Sequence, residues 1–149
     1  MIKKLSRTPK SWLTLDDCER AFKNFRDRLG KEEPIPPFHT RFEGKLESIL
    51  ASVRQTVGRQ FVNATVLDAT AAYFNQLTRG HPLQNGNKRM AVLFTHLFLL
   101  RHKIDFTLTY GEMVNFAIEI ASAGEKGISY ETTKQWCAQI IAEFTMERK

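Results

Sequence analysis

Nine consecutive residues hold the side chains of this sequence that could do chemistry together: His81-Pro82-Leu83-Gln84-Asn85-Gly86-Asn87-Lys88-Arg89. Histidine is the side chain that titrates nearest to neutral pH, so His81 is the candidate general base. Arg89 can bind two phosphate oxygens at once, and Lys88 can add a mobile point charge. These residue types together predict a site for phosphate chemistry.

The nonapeptide leads directly into the most apolar segment of the chain, Met90 to Leu100. This pattern predicts a polar loop followed by a buried helix. The first N–H groups of a helix lack internal partners, and its dipole attracts anions. Gly86, which allows close approach of a ligand, and Asn87 are therefore candidate phosphate-binding residues at the helix start. Taken singly, a histidine before a helix or an Asn-Gly pair is typical of ordinary turns, and only their combination indicates chemistry.

The nonapeptide resembles the signature of the Fic/Doc family, commonly written H-P-F-x-(D/E)-(G/A)-N-(K/G)-R. Seven of its nine positions match, counting the unrestricted one, and Lys88-Arg89 is similar to the Doc (death on curing) branch. The upstream segment Leu46-Glu47-Ser48-Ile49-Leu50 resembles L-E-S-A-L of that branch, and Ala71 to Leu77 resembles the helix that leads into the motif. The resemblance covers Phe42 to Phe116.

The resemblance implies that ATP, with Mg²⁺, donates a phosphate-containing group to a hydroxyl of a target protein. The implied catalytic residues are His81, Lys88 and Arg89, and the implied nucleotide- and phosphate-binding residues are Gly86, Asn87, Lys88 and Arg89. Relatives that transfer adenosine monophosphate usually have a second arginine three positions after the first, where this chain has Val92. The Doc branch transfers the γ-phosphate to translation elongation factor Tu and is controlled by a separate antitoxin protein. The resemblance therefore implies a Doc-like toxin with these partners.

The sequence departs from the signature at two positions. Leu83 replaces the usual Phe at an apolar anchor, a change of shape that we expect the core to absorb. Asn85 replaces the acidic residue that in relatives holds the magnesium ion. A neutral amide oxygen is a weaker ligand for a hard dication, so Asn85 is predicted to be a weak metal ligand. Two alternatives stay open: a Fic-fold binding module that is weakened or inactive as a catalyst, and a protein adenylyltransferase.

The composition predicts one soluble domain. The chain has 149 residues, 42% of them apolar and 26% charged, and no run of eighteen apolar residues could span a bilayer. Without a recognisable signal peptide, a cytoplasmic location is expected. The net charge of +6 suits acidic partners, but the Lys and Arg residues are dispersed and no nucleic-acid-binding motif occurs, so nucleic acid is the least favoured partner. Cys18 and Cys137 are predicted to be buried thiols.

Periodicity predicts six helices separated by loops. A flexible basic arm is expected over residues 1–12. Helix one follows a Thr14–Asp17 capping box and stops at Gly30, and the prolines of Lys31 to Thr40 favour an extended flap or connector. Helix two runs from Phe42 to Gly58, helix three from an Asn63 cap to Gly80, and helix four from Lys88 to about Lys103.

The C-terminal third completes the pattern. Ile104 to Leu108 predicts a short strand or an extended link. Helix five follows a Thr109–Glu112 capping box and buries Met113, Phe116, Ala117 and Ile120. Helix six runs from Tyr130 to Met146 with Trp136 on its apolar face. The predicted fold is an all-α bundle, resembling the Fic/Doc fold, around a central buried helix four, with a possible short flap.

Overall fold

The computed structural model describes residues 1–29 and 35–149. This part of the chain contains six α-helices: α1 (Leu15–Leu29), α2 (Lys45–Val53), α3 (Val66–Gly80), α4 (Asn87–Arg101), α5 (Tyr110–Glu125) and α6 (Tyr130–Glu143). It also contains four short strands: β1 (Thr56–Val57), β2 (Gln60–Phe61), β3 (Ile104–Phe106) and β4 (Thr145–Glu147). The predicted all-α architecture is confirmed, with two small antiparallel strand pairs added to it.

The core is built around α4, as its apolar sequence predicts. Its buried residues are Met90, Ala91, Val92, Phe94, Thr95, Phe98 and Leu99, and they lie around most of the helix circumference. Phe98 is fully buried against Tyr73 of α3, with ring centroids 4.9 Å apart. Truncating a buried Phe of this kind costs about 3–5 kcal/mol. The packing of α3, α1 and α5 on α4 fixes where α4 begins, and the motif lies at that end.

The far end of α4 is fixed by a charged pair with α1. Arg101 donates two hydrogen bonds of 2.6 Å to the carboxylate of Asp17. The Arg101 hydrogen bonds hold the pKa of Asp17 far below its ordinary value, although burial of the carboxylate opposes the shift. Asp17 also accepts from Thr14 N, while Asp17 N donates to the Thr14 hydroxyl, which confirms the predicted capping box. The box at Thr109 and Glu112 is confirmed as well.

The predicted end of helix two and the predicted cap of helix three are wrong, whereas the predicted end of helix three at Gly80 is confirmed. Helix α2 ends at Val53, and the residues up to Phe61 form the β1–β2 hairpin, whose two-residue turn has positive φ at Gly58 (59°) and Arg59 (68°). Such a turn matches the twist of paired strands. Thr65 caps α3, not Asn63, whose buried side chain donates to Val53 O and accepts from Lys134.

The N-terminal segment corrects the prediction of a flexible basic arm over residues 1–12. Lys3–Ser6 forms a 3₁₀ helix, and Leu5 is fully buried in the core. The Arg7 carbonyl accepts from Val66 N at 2.8 Å, which caps the start of α3. The segment is held by an apolar anchor and backbone hydrogen bonds, neither of which its basic composition reveals.

The C-terminal segment also differs from the prediction. The strand predicted near Ile104 is confirmed, but its partner is β4, which the sequence assigns to helix six. Helix α6 stops at Glu143 because the next residues pair with β3. Trp136 is 37% exposed, so its assignment to the apolar face is wrong, whereas Cys137 is buried. Both Cys18 and Cys137 are buried free thiols, as predicted, and burial raises the pKa of Cys18 to about 12.

Among the described helices, none is both long enough and apolar enough to span a bilayer.

Candidate active site in the loop before α4

The motif loop is held between two helix ends. Helix α3 stops at Gly80 because His81 adopts a left-handed conformation, with φ 47° and ψ 58°. Helix α4 starts after Gly86, which is also left-handed, with φ 79°. A left-handed residue ends a helix and turns the chain away from its axis. The exposed imidazole of His81 therefore lies at one end of the loop, and the start of α4 lies at the other.

Asn87 fixes the shape of the loop. Its side-chain oxygen accepts from Leu83 N at 2.8 Å, and its side-chain nitrogen donates to Leu83 O at 2.9 Å. The Leu83 side chain is buried, with 4% of its surface exposed, so the loop is also anchored in the core. Leu thus serves as the apolar anchor expected at this position. The predicted role of Asn87 as a phosphate ligand now stands beside a second role in positioning the loop.

The segment from Ile35 to Phe42 supports the loop from behind. Pro82 O accepts from Phe42 N at 3.0 Å, and Gln84 donates to Thr40 O at 3.1 Å. A methyl group added to Gly86 would lie 3.4 Å from Ile35 Cδ1 and 3.4 Å from Arg89 Nη2. Glycine is therefore required at position 86 by its positive φ and by close contacts.

This supporting segment overlaps the predicted flap. Residues Lys31 to Pro34, and the predicted stop at Gly30, lie outside the described residues. Phe38–Thr40 forms a 3₁₀ helix, so this part of the expected extended flap is a helical turn. Phe38 is buried against Phe22 of α1, with centroids 5.4 Å apart.

The start of α4 presents backbone donors that precede the helix's own hydrogen bonds. The bond from Met90 N to Gly86 O opens the helix ladder, and the N–H groups of Asn87 and Lys88 come before it. No side chain of the described residues caps this helix end. Asn85 instead bends back, and its side-chain oxygen accepts from Gly86 N at 2.8 Å. The start of α4 thus has the form that attracts anions at helix ends.

One cleft, about 460 Å³ in volume, brings the predicted residues together. Its lining includes every candidate, namely His81, Asn85, Gly86, Asn87, Lys88 and Arg89. Arg89 lies near the phenol of Tyr110, whose pKa is raised to about 12 by burial while the Arg89 charge opposes the shift. The cleft therefore combines an imidazole, two cations and the start of a helix at one place.

The opposite wall of the cleft was missed from the sequence. It is formed by Val114 and Ile118 of α5, and Ile118 is 48% exposed. These residues lie beside the apolar face predicted for helix five, and an apolar pair one turn apart outside that face is the signal that could have identified them. Gln84, which occupies the unrestricted position of the motif, also lines the cleft.

The described lining does not fit a magnesium ion held by the protein. Mg²⁺ is usually bound through carboxylates, and none of the described lining residues is Asp or Glu. The side-chain oxygens available are those of neutral amides, and the Asn85 oxygen is already engaged with Gly86 N. The two cations, Lys88 and Arg89, further disfavour a bare dication.

Position 92 cannot supply a second cation to this cleft. Val92 is 2% exposed and packs in the core, and it is not part of the cleft lining.

The family comparison agrees with this geometry. The model of the Fic/DOC family matches residues 12–99, more than half of the chain. This range includes the motif loop and α1 to most of α4, the elements that position it. A search of curated proteins gave no match. The chain therefore belongs to the Fic/DOC family.

Proposed function

We propose that this protein is a Doc-like toxin that transfers the γ-phosphate of ATP to a hydroxyl of a target protein. Fic/DOC proteins are typically transferases that move a nucleotide-derived group onto proteins. The observation that carries the proposal is the convergence of His81, Lys88, Arg89 and the start of α4 on one cleft.

The donor phosphates are assigned to the start of α4. The backbone N–H groups of Asn87 and Lys88, with the helix dipole, attract negative charge there. Arg89 would bind two phosphate oxygens, and Lys88 would add a second charge. Phosphoryl transfer depends mainly on positioning and charge neutralisation, and these groups supply both. The apolar wall of the half-buried Val114 and the exposed Ile118 is the surface that suits a nucleotide base.

The role of general base, which accepts the proton of the target hydroxyl, is assigned to His81. Its exposed imidazole lines the phosphate cleft and also a second cavity of about 190 Å³, so a hydroxyl from outside can reach it. In the proposed step, His81 accepts the hydroxyl proton while that oxygen bonds to the γ-phosphorus. The bond between the γ-phosphorus and the bridging oxygen breaks, and ADP leaves.

The choice of the γ-phosphate rests on Val92. A buried valine at this position leaves α4 without the second arginine that relatives use to bind the terminal phosphate in adenylyl transfer. If Mg²⁺ accompanied ATP, the Asn85 oxygen would be a weak ligand for it, and the ion would offset part of the phosphate charge. Lys88 and Arg89 then neutralise more of the phosphate charge than they would beside a carboxylate.

The partners are proposed from the resemblance to the Doc branch. The proposed target is a protein hydroxyl, with translation elongation factor Tu as the first candidate, and the proposed regulator is a separate antitoxin chain. Both proposed partners imply a cytoplasmic location.

The second candidate function is a non-catalytic binding module. It is favoured by one observation, the lack of a carboxylate among the described lining residues of the cleft. Such a module would bind a nucleotide without transferring any part of it.

The test is transfer of radioactive γ-phosphate from ATP to protein in a cell extract. We expect labelling of a distinct protein band with the wild type, and a loss of about 10²- to 10⁴-fold in His81→Ala. His96→Ala is the matched control, because this half-exposed histidine pairs with Asp105 outside the cleft. Equal labelling by wild type and His81→Ala would overturn the assignment of the base. ATP binding without labelling would favour the binding module.

A further inference from the structure

A second concentration of positive charge lies at the opposite end of α4 from the motif. A cavity of about 300 Å³ is lined there by Lys4, Arg7 and Lys10 of the N-terminal segment and by Arg101 and Lys103 at the end of α4. We name it the basic cavity. A helix as long as α4 separates it from the motif cleft by about 20 Å.

Specific contacts bring these cations together. The N-terminal segment is anchored by the buried Leu5 and by the hydrogen bond from Val66 N to Arg7 O. Lys10 N donates to His102 Nε2 at 2.9 Å, and the other ring nitrogen lies 2.9 Å from Phe98 O. The His102 ring thus links the backbone of the N-terminal segment to the last turn of α4. These contacts hold the N-terminal segment and the end of α4 in fixed positions around the cavity.

Most of the charge in the basic cavity is uncompensated. Arg101 is neutralised by its two bonds to Asp17. Within the described part of the chain no acidic side chain lines the cavity, and Lys4 donates only to a backbone carbonyl, that of Arg148. The C-terminal dipole of α4 favours a nearby cation, but this effect falls off within one turn. Four adjacent like charges repel one another, and an anion bound between them would offset that repulsion.

We propose that the basic cavity binds a phosphate-containing anion, either a free polyphosphate group or the backbone phosphates of a nucleic acid. Phosphates place several negative charges in a small volume, which matches four cations around a cavity of about 300 Å³. Ammonium, guanidinium and the hydroxyl of Thr8 are all donors to phosphate oxygens. This site is separate from the motif cleft and does not depend on its activity.

Calorimetric titration with pyrophosphate at low ionic strength tests the proposal. All titrations use the Arg89→Gln background, which weakens phosphate binding in the motif cleft. We expect Lys10→Gln combined with Lys103→Gln to weaken pyrophosphate binding about 10-fold, because charge-assisted bonds are lost. The matched control, Arg26→Gln with Lys126→Gln, removes the same net charge at exposed positions elsewhere and should change the affinity by less than about 2-fold. Circular dichroism confirms that each variant is folded.

Three results would overturn the proposal. The first is no binding of pyrophosphate, and the second is an equal loss of pyrophosphate affinity in the basic-cavity variant and in the control variant. The third is tighter binding of a poly-glutamate peptide than of pyrophosphate at the same residues. A single-stranded RNA oligonucleotide then identifies the source of the phosphate. If it displaces pyrophosphate and its affinity falls steeply with salt, the ligand is a nucleic acid backbone. If it does not compete, the ligand is a free polyphosphate. Both results require phosphate binding in the basic cavity, so both support the proposal.

Discussion

Asn87→Ala removes the two hydrogen bonds that hold the motif loop against α4. Asn87 bonds both backbone groups of Leu83, at 2.8 and 2.9 Å. Each such bond contributes about 1 kcal/mol net, so the free energy of unfolding should fall by about 2 kcal/mol. For a chain of this size, that change lowers the Tm by about 4–8 °C. The loop should also lose its shape, and the affinity for ATP should fall with it.

Thermal unfolding and amide hydrogen exchange measure the two effects separately. We expect a lower Tm and faster exchange of the Leu83 amide in Asn87→Ala. Gln84→Ala is the matched control in the same loop, because its exposed side chain makes one hydrogen bond, to Thr40 O, and its loss should cost less than about 0.5 kcal/mol. An unchanged Tm and unchanged amide exchange in Asn87→Ala would refute the claim that the Asn87 hydrogen bonds hold the loop. A lower Tm with unchanged ATP affinity would show that the loop shape does not determine phosphate binding.

Three further predictions concern charge. Asp17→Asn should cost about 2–3 kcal/mol at neutral pH, less than for a fully buried pair because 31% of the Arg101 side chain is exposed. Because the pKa of Asp17 is lowered in the folded state, the Tm difference from wild type should be complete above the ordinary carboxyl value of 3.8 and shrink as the pH falls towards the lowered pKa. Calorimetry with ATP should show a larger loss of affinity in Arg89→Ala than in Lys88→Ala, since only a guanidinium binds phosphate bidentately; equal affinity in both variants and wild type would remove the phosphate assignment. Asn85→Asp should raise magnesium-dependent transfer, because a carboxylate is the better ligand, and identical rates at saturating Mg²⁺ would exclude residue 85 as a ligand.

The features predicted correctly from the sequence are local. The run of apolar residues after Arg89 requires a buried helix, and each capping box is a contact between residues three apart. The motif loop is contiguous, so its side chains could be assigned to one site before the fold was known. The left-handed His81 and Gly86 then determine how the loop bends.

The features that were missed depend on long-range contacts. The pairing of β3 with β4 joins segments that lie on either side of two helices, and no local pattern in Thr145–Glu147 indicates it. The N-terminal segment packs because Leu5 finds a core site and Arg7 O caps α3. The wall of Val114 and Ile118 belongs to the cleft only because α5 packs beside the start of α4.

The central claim is transfer of the γ-phosphate from this cleft, and the most direct measurement is the fate of two labels. The protein and a cell extract are incubated in parallel with ATP that carries radioactive phosphorus at the α or the γ position, and the modified protein is then identified by mass spectrometry. We predict that only the γ label becomes attached, with the added mass of one phosphate, and that the signal is lost in His81→Ala. Attachment of the α label with the added mass of adenosine monophosphate would contradict the account.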